Sequence, residues 1–290
     1  MKKVLFIINP ISGVGKKKVI ESIVETNIDK SKFSYVITYT EYAGHATIIA
    51  MDAKQNGFDI VYVVGGDGSI NEVVSGLIHT KITLGIIPSG SGNGLARYLK
   101  LPFDIKKNIE ILNNYKTTDI DTFTINDKYC ISIAGIGFDA LVADKFDKLG
   151  RRGFWGYMKI ISNEYFSYKP KKYIIKIGDE IIKRKALFIS LANSDQFGYN
   201  TVVAPTADIS DGLVDICIYK KVPLYKVLFY AFFIFAKKIH KTKYVEIIKA
   251  SEFIVERKKK KLINIDGQPM KLEKKLFIKV LPKSLNIIIS

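Results

Sequence analysis

Five consecutive apolar residues, 60–64, run straight into Gly65-Gly66-Asp67-Gly68-Ser69, and this segment, IVYVVGGDGSINE, constrains the chain more than any other. A short β-rich run that is apolar throughout reads as a strand buried on both faces. The glycines behind it let the backbone turn sharply and come close to a ligand. A helical pattern then begins at Asn71. Asp67 is thereby placed between a strand's end and a helix's start, where open α/β sheets bind nucleotides and where backbone N–H groups can cradle phosphate. A carboxylate among phosphates is repulsive unless a cation lies between them, so Asp67 is a candidate Mg2+ contact or proton acceptor. The competing reading is a plain structural turn, because Gly-Asp-Gly is good turn chemistry.

The residues around this segment repeat its logic. Residues 3–8 read as a strand, followed by the loop Asn9-Pro10-Ile11-Ser12-Gly13-Val14-Gly15-Lys16. Val19, Ile20, Ile23 and Val24 have helical spacing, residues 33–40 form a second strand, and Gly44-His45-Ala46 opens a second helix to about Gln55. A fourth strand over 84–87 ends in Pro88-Ser89-Gly90-Ser91-Gly92-Asn93-Gly94, before a helix near Leu95. Regular strand–loop–helix alternation predicts a parallel, doubly wound sheet. Three of its strand ends carry glycine- or proline-rich loops, all facing one edge.

From about Thr117 strand-like runs dominate, at 117–125, 129–134, 173–177, 181–192, 213–219 and several places after Lys243. A hairpin turn is expected at Gly178-Asp179. Residues 138–167 and 224–240 look helical. The expected division is therefore a nucleotide-binding domain over 1–122 and an antiparallel-rich domain over 123–290.

Composition excludes several classes. The longest apolar run, VLFYAFFIFA at 227–236, is far short of the ~20 residues that span a bilayer. Because it lacks a polar face over nearly three turns, it reads as a core helix. The apolar part of the N-terminus is too short for a secretory h-region, which points to a cytoplasmic protein. Cys130 and Cys217 lie in apolar runs without a CxxC partner, the pattern of reduced core thiols. The formal net charge is +17, a field that favours phosphates on a nucleotide or an anionic lipid. Lys237, Lys238, Lys241, Lys243 and the run 257–261 carry much of it, and both groups are expected membrane-docking features, with Lys258 to Lys261 as the run to test. No nucleic-acid-binding module accompanies the charge.

Several motifs fail on inspection. A Walker A loop would need glycine at Pro10 and Ser or Thr at Lys17, leaving a small Gly/Ser phosphate loop. Gly135-Ile136-Gly137-Phe138-Asp139-Ala140 imitates a dinucleotide fingerprint, but reads better as a tight strand-to-helix turn. His45, His79 and His240 show no metal spacing. Asp208 and Asp211, before Gly212, could hold a hard cation, although spacing alone favours an Asp-rich turn. The turn Ile265-Asp266-Gly267-Gln268 carries no chemistry by itself.

Taken in order, Asn9-Pro10-x-Ser12-Gly13, Thr40 with Gly44-His45-Ala46, the GGDGS-x-NE segment, Pro88-x-Gly90-Ser91-Gly92-Asn93, Gly137-x-Asp139-Ala140, Ala204-Pro205, Asp211-Gly212-Leu213 and Asp266-Gly267 resemble the soluble lipid kinase family. Bacterial diacylglycerol kinases and, more distantly, sphingosine and ceramide kinases belong to it. The resemblance implies an N-terminal Rossmann-like α/β domain and a C-terminal β-sandwich, with the last strand returning to the first domain. It implies ATP held by Asn9, Pro10, Ser12, Gly13, Thr40, Gly65, Gly66, Asp67, Gly68, Ser69, Ile70, Asn71 and Ser91. It further implies that Asp67 acts on Mg2+ and phosphate, and that a structural Mg2+ uses Asp208, Asp211 and the carbonyl of Leu213. The expected partners are ATP, a lipid substrate and the inner membrane face, with room for a homodimer.

Two departures from that family are visible. Bacterial members carry Gly-Thr-x-Asn-Asp where this chain has Gly90-Ser91-Gly92-Asn93-Gly94, a version similar to sphingosine and ceramide kinases. The family's Asp-Gly-Glu, with glutamate as general base, is here Asp266-Gly267-Gln268, and glutamine takes no proton at neutral pH. The expected activity is ATP- and Mg2+-dependent phosphorylation of a lipid hydroxyl. An NAD kinase of the same superfold and a catalytically weak nucleotide- or lipid-binding regulator are the alternatives.

Overall fold

Residues 60–64 are all buried, as an unbroken apolar run requires, and they form one of the inner strands of a parallel sheet. The computed structural model describes residues 1–12, 17–149, 153–198, 201–236 and 238–290. Two units contain them: Met1–Ile120 with Pro282–Ser290, and Asp121–Leu281.

In the first unit, β1 (Lys2–Ile8), β2 (Phe33–Tyr39), β3 (Ile60–Gly65) and β4 (Thr83–Pro88) pair in the order β2-β1-β3-β4, all parallel. The helices between them are α1 (Lys17–Asn27), α2 (His45–Gln55) and α3 (Asp67–Leu77), followed by α4 (Gly94–Tyr98) and α5 (Ile105–Asn113). Because β2 lies on one side of β1 and β3 on the other, the sheet reverses its winding between β1 and β3. Ile20 and Val24 of α1, and Ile28 just after it, share a core with Ile109 and Leu112 of α5 and with Phe6 and Tyr62 of the sheet. Helix α2 instead packs on α3, through its buried Ala46, Ala50 and Ala53. The approach is close: a Cβ on Gly76 would stand 2.7 Å from the Thr47 carbonyl oxygen. Helix α3 begins at Asp67, four residues before the expected start at Asn71, because Ile70 N–H already closes a helical bond on Gly66 at 3.0 Å.

The second unit is an antiparallel sandwich. Its strands are β5 (Lys116–Ile125, from Asp121 on), β6 (Lys128–Cys130), β7 (Ile133–Gly137), β8 (Lys171–Ile177), β9 (Glu180–Ala186), β10 (Phe188–Ala192), β11 (Val214–Tyr219), β12 (Val245–Ala250), β13 (Glu252–Arg257), β14 (Lys261–Ile265), β15 (Gln268–Leu272) and the first part of β16 (Lys275–Ile289). One sheet runs β12-β11-β10-β7-β14-β15, every pair antiparallel. The other joins β16, β13, β8 and β9, with the β8–β9 hairpin turning at Gly178 as expected. Ile136, Leu191, Ile216 and Ile263 from one sheet close on Ile175, Val255, Leu276 and Ile278 from the other. Cys130 and Cys217 are free and buried, and burial pushes both thiols well up. The last part of β16 belongs to the first unit, where Ile287 pairs in parallel with Leu84 and Asn286 accepts from Thr83 at 2.9 Å.

Three local expectations are corrected. The run 138–167 is two helices, α6 (Phe138–Lys148) and α7 (Phe154–Ser167), not one. The strand-like run 181–192 divides at Leu187 into β9 and β10, and the Leu187 side chain packs among α6 and α7 side chains. The apolar run at 227–236 is not a core helix. In helix α8 (Val227–Phe235), Phe229 and Phe232 are 60% and 67% exposed. No helix among the described residues is long and apolar enough to cross a membrane.

Candidate functional site

Parallel strands end together, so the loops after β1, β3 and β4 emerge at one edge of the first unit, across the point where the winding reverses. Backbone bonds extend the pairing past the strand ends: Asn9 N–H donates to Val64 O at 3.0 Å, Thr40 N–H to Ile8 O at 3.0 Å, and Ser89 N–H to Gly65 O at 2.9 Å. Side chains then tie loop to loop. Asn9 Nδ2 donates to Ser69 Oγ at 2.8 Å, and its Oδ1 accepts from Ile11 N–H at 3.0 Å. Ser12 Oγ donates to Asn9 O at 2.9 Å and lies 3.2 Å from Ser89 Oγ.

Asp67 is the hub of this arrangement. One carboxylate oxygen accepts from Asn93 N–H and the other from Gly94 N–H, both at 2.8 Å. A carboxylate that gathers two backbone donors fixes their direction, and such charge-assisted bonds are the strong ones. Asn93 is fully buried and left-handed, with φ 54. Its amide closes the loop on itself, Oδ1 accepting from Gly90 N–H at 3.1 Å and Nδ2 donating to Gly90 O at 2.6 Å. The signal for Asn93 was present in the sequence, since asparagine is enriched in left-handed conformations. Arg97 completes the loop by donating from Nε to Gly92 O at 3.0 Å.

The glycines have a reason beyond ligand approach. A Cβ on Gly90 would meet Gly66 Cα at 2.5 Å, and one on Gly65 would meet Ser69 Cβ at 2.5 Å. The loops after β3 and β4 thus pack backbone on backbone. Gly66 caps α3 with no side-chain bond, which leaves the positive end of the helix for an anion.

Most of the nucleotide-binding residues expected from the sequence belong to this edge: Asn9, Pro10 and Ser12 in the first loop, Thr40 after β2, Gly65, Gly66, Asp67, Gly68, Ser69 and Asn71 around the start of α3, and Ser91 after β4. Gly13 lies outside the described residues. Ile70 is placed differently, with its side chain in the core and its N–H used by the helix. His45 opens α2, accepting at Nδ1 from Glu41 N–H at 3.2 Å and stacked on Tyr42 at 4.6 Å.

In the second unit, Gln268 opens β15, half-buried, directly after the Asp266-Gly267 turn. Asp266 is 7% exposed and accepts from three successive amides, Ile131, Ser132 and Ile133, at 2.8, 2.9 and 3.1 Å. It anchors the strand start opposite and is committed to that role. Asp139 is buried with Asn264 Nδ2 at 3.0 Å and Tyr157 Oη at 3.4 Å. Burial pushes its carboxyl up to about 6, against the pull of those two donors.

The carboxylates expected to hold a structural Mg2+ already accept from protein donors. Asp208 Oδ1 accepts from Ser210 N–H at 3.0 Å and from Ser210 Oγ at 2.8 Å. Asp211 Oδ1 accepts from Leu213 N–H at 3.0 Å, while Lys249 Nζ lies 2.9 Å from its Oδ2 and 3.1 Å from Asp215 Oδ1. Burial opposes the charge on Lys249, but the bonds to Asp211 and Asp215 outweigh it and hold its ammonium above the usual lysine range. The cation on this loop is therefore a lysine, and the donor set does not fit Mg2+ without displacing it. Among the described residues no group of three or more His, Cys, Asp or Glu is arranged to hold a metal.

Comparisons with known proteins divide the chain similarly. Residues 3–125 match the family described as diacylglycerol kinase catalytic domain, and residues 132–289 match the YegS C-terminal NAD kinase beta sandwich-like domain. A diacylglycerol kinase of Bacillus subtilis (strain 168) is 30% identical over 275 residues, covering 92% of this chain and 90% of that protein. A diacylglycerol kinase of Staphylococcus saprophyticus is 28% identical over 227 residues, covering 77% of this chain and 74% of its own length. The crystal structure of a diacylglycerol kinase from Bacillus anthracis superposes with a TM-score of 0.76 at 21% identity, covering 100% of this chain and 97% of that one, a likeness of fold.

Proposed function

Because this chain belongs to the diacylglycerol kinase family, its catalytic-domain half and its sandwich half both matching, we propose that it transfers the γ-phosphoryl group of ATP to the hydroxyl of a membrane lipid such as a diacylglycerol or a sphingoid lipid. The observation that carries the reading is the three-loop edge knitted by Asp67. Small residues, backbone N–H groups and an uncapped helix start converge there, at the reversal point where α/β sheets take nucleotides.

Under this reading, Asn9, Ser12 and Ser69 shape the cradle for the phosphates, and the α3 terminus offsets their charge. Mg2+ accompanying the nucleotide would supply positive charge that offsets the charge developing in transfer. Asp67 holds Asn93 and Gly94 in place, so that the β4 loop presents a fixed surface. The acceptor oxygen bonds to phosphorus as the bond to the leaving ADP oxygen breaks, and the hydroxyl proton passes to water. Gln268 has no atom that takes that proton, so it acts through hydrogen bonding, and transfer relies on positioning rather than on a strong base.

The test is to incubate the purified protein with γ-labelled ATP and Mg2+ in the presence of diacylglycerol vesicles, sphingoid vesicles or NAD. Label in the organic phase with one of the lipids is the expected result. Label confined to a phosphorylated water-soluble acceptor, or hydrolysis without transfer, overturns it.

A further inference from the structure

The described aromatic side chains of helix α8 divide between two faces. Tyr230 and Phe233 turn inward, against a cluster containing Ala192, Val203, Cys217, Tyr219 and Val245. Tyr230 also meets Tyr244 edge-on at 4.7 Å. Phe229 and Phe232 turn outward, and with Tyr225 in the 3-10 turn just before the helix they are 60%, 67% and 82% exposed. Exposed aromatics grouped together are a costly surface for water and mark an interaction site. The ridge is also anchored. Tyr165 Oη donates to Val222 O at 2.7 Å and accepts from Val222 N–H at 3.0 Å, while Lys221 Nζ donates to the carbonyls of Phe166 and Tyr168.

Charge decides what covers this ridge. Between Asp215 and Glu246 the chain has seven lysines and no acidic residue. Lys226 flanks the ridge at its start, with Nζ 5.3 Å from the Tyr225 ring centroid, and Lys238, Lys241 and Lys243 follow its end, all three exposed. A second copy of this chain in symmetric contact would set these lysines against their equivalents, at a net charge of +17 per chain. An anionic bilayer meets both demands at once. Its headgroups pair with the lysines, and its acyl boundary receives the aromatic rings.

We propose that Tyr225, Phe229 and Phe232 of the α8 segment insert into the headgroup–acyl boundary of an anionic membrane, with Lys226, Lys238, Lys241 and Lys243 pairing to its lipids. These residues are distinct from the lysine run at 257–261. Within that run, Arg257 is not available to a surface at all. It is 5% exposed, and its guanidinium donates to the carbonyls of Lys261, Leu262, Leu272 and Glu273.

The inference gives the kinase reading a route to its acceptor, but its test needs no catalysis. Binding is measured by co-sedimentation, without ATP, on vesicles of phosphatidylglycerol–phosphatidylcholine and of phosphatidylcholine alone. The parent should bind the anionic vesicles, lose binding as salt is raised from 50 to 500 mM, and bind the neutral ones poorly. Phe229→Ser/Phe232→Ser should lower binding at least ~10-fold, the least expected from withdrawing two phenyl rings from an apolar phase. Its melting temperature should match the parent's. In a Trp155→Phe/Phe232→Trp variant, bromine-labelled acyl chains should quench the new fluorophore, a readout that folding alone does not supply. Parent-like binding by the double serine variant overturns the proposal. So does loss of binding only when Lys258, Lys259, Lys260 and Lys261 are changed to Gln, or a parent dimer that the serine variant dissolves. If vesicle binding behaves as expected and no lipid is phosphorylated, the docking surface stands and the kinase reading falls.

Discussion

In sequence, the loop edge of the first unit and the Asp208–Leu213 turn of the sandwich unit are alike, each with an aspartate beside a glycine, yet the structure uses them differently. Asp67 receives two backbone amides from another loop, whereas Asp211 receives a lysine ammonium. Backbone donors are neutral and immobile, so these two bonds fix the β4 loop against the start of α3. An ammonium neutralises Asp211, leaving a stapled turn. Whether an Asp-Gly pair reads as a site thus depends on what the rest of the fold delivers to its carboxylate.

Asp67→Asn should cut phosphoryl transfer by at least ~10²-fold, the lower range for losing an electrostatic group. One of the two amide bonds is also lost, so the melting temperature should fall modestly while the fold survives. Wild-type turnover in this variant would break the contrast at its root. Asp266→Asn tests the same device in the sandwich, where three amides converge on a buried carboxylate. Leaving at least one donor unpaired there should cost about 2–4 kcal/mol in urea unfolding. A change below ~0.5 kcal/mol would show that amide capture by an aspartate carries little weight here.

Asp139 supplies the opposite case, a carboxyl held by two side-chain donors and raised by burial to about 6. The folded form then binds its proton more tightly than the unfolded form. Its contribution is fully present below about pH 4 and is lost as pH rises through about 6. The difference in unfolding free energy between wild type and Asp139→Asn should therefore shift by up to ~3 kcal/mol in favour of the variant between pH 4 and pH 7. A pH-independent difference would mean that Asp139 does not change its charge on that scale.

The smallest effect concerns the cation. With Lys249 on Asp211, millimolar Mg2+ without nucleotide should leave the parent's melting temperature unchanged, and Lys249→Ala should create a Mg2+-dependent rise through mass action. A Mg2+-dependent rise in the parent that Asp208→Asn/Asp211→Asn abolishes would restore the divalent site implied by the family resemblance.

The parallel sheet was legible because its signals are local. A buried strand has to be apolar on both faces, and glycine, asparagine and aspartate mark turns by their own conformational preferences. The loops after β1, β3 and β4 follow from that pattern, and so does their common edge. The antiparallel character of the chain's later half was legible in the same way, from strand-like runs without intervening helices. The start of α3 was not, since glycine and serine weigh against a helix and only the packing of Gly66 on Gly90 fixes the turn. Lys249 as the partner of Asp211 was equally invisible, because the pairing joins residues 38 apart in sequence. The apolar run at 227–236 misleads for a related reason: composition counts how many aromatic rings a helix has, whereas only the neighbouring sheet decides how many it can cover.

The sequence by itself determined the two fold classes, the places where the chain turns and the family whose motifs sit at those turns. Each depends on backbone preference and hydrophobic period, which are properties of neighbouring residues. The tertiary structure decided which carboxylates are spent on amides, which on a lysine, and which aromatic face is left bare. Those outcomes depend on donors and surfaces brought together from distant parts of the chain, and no local pattern encodes them.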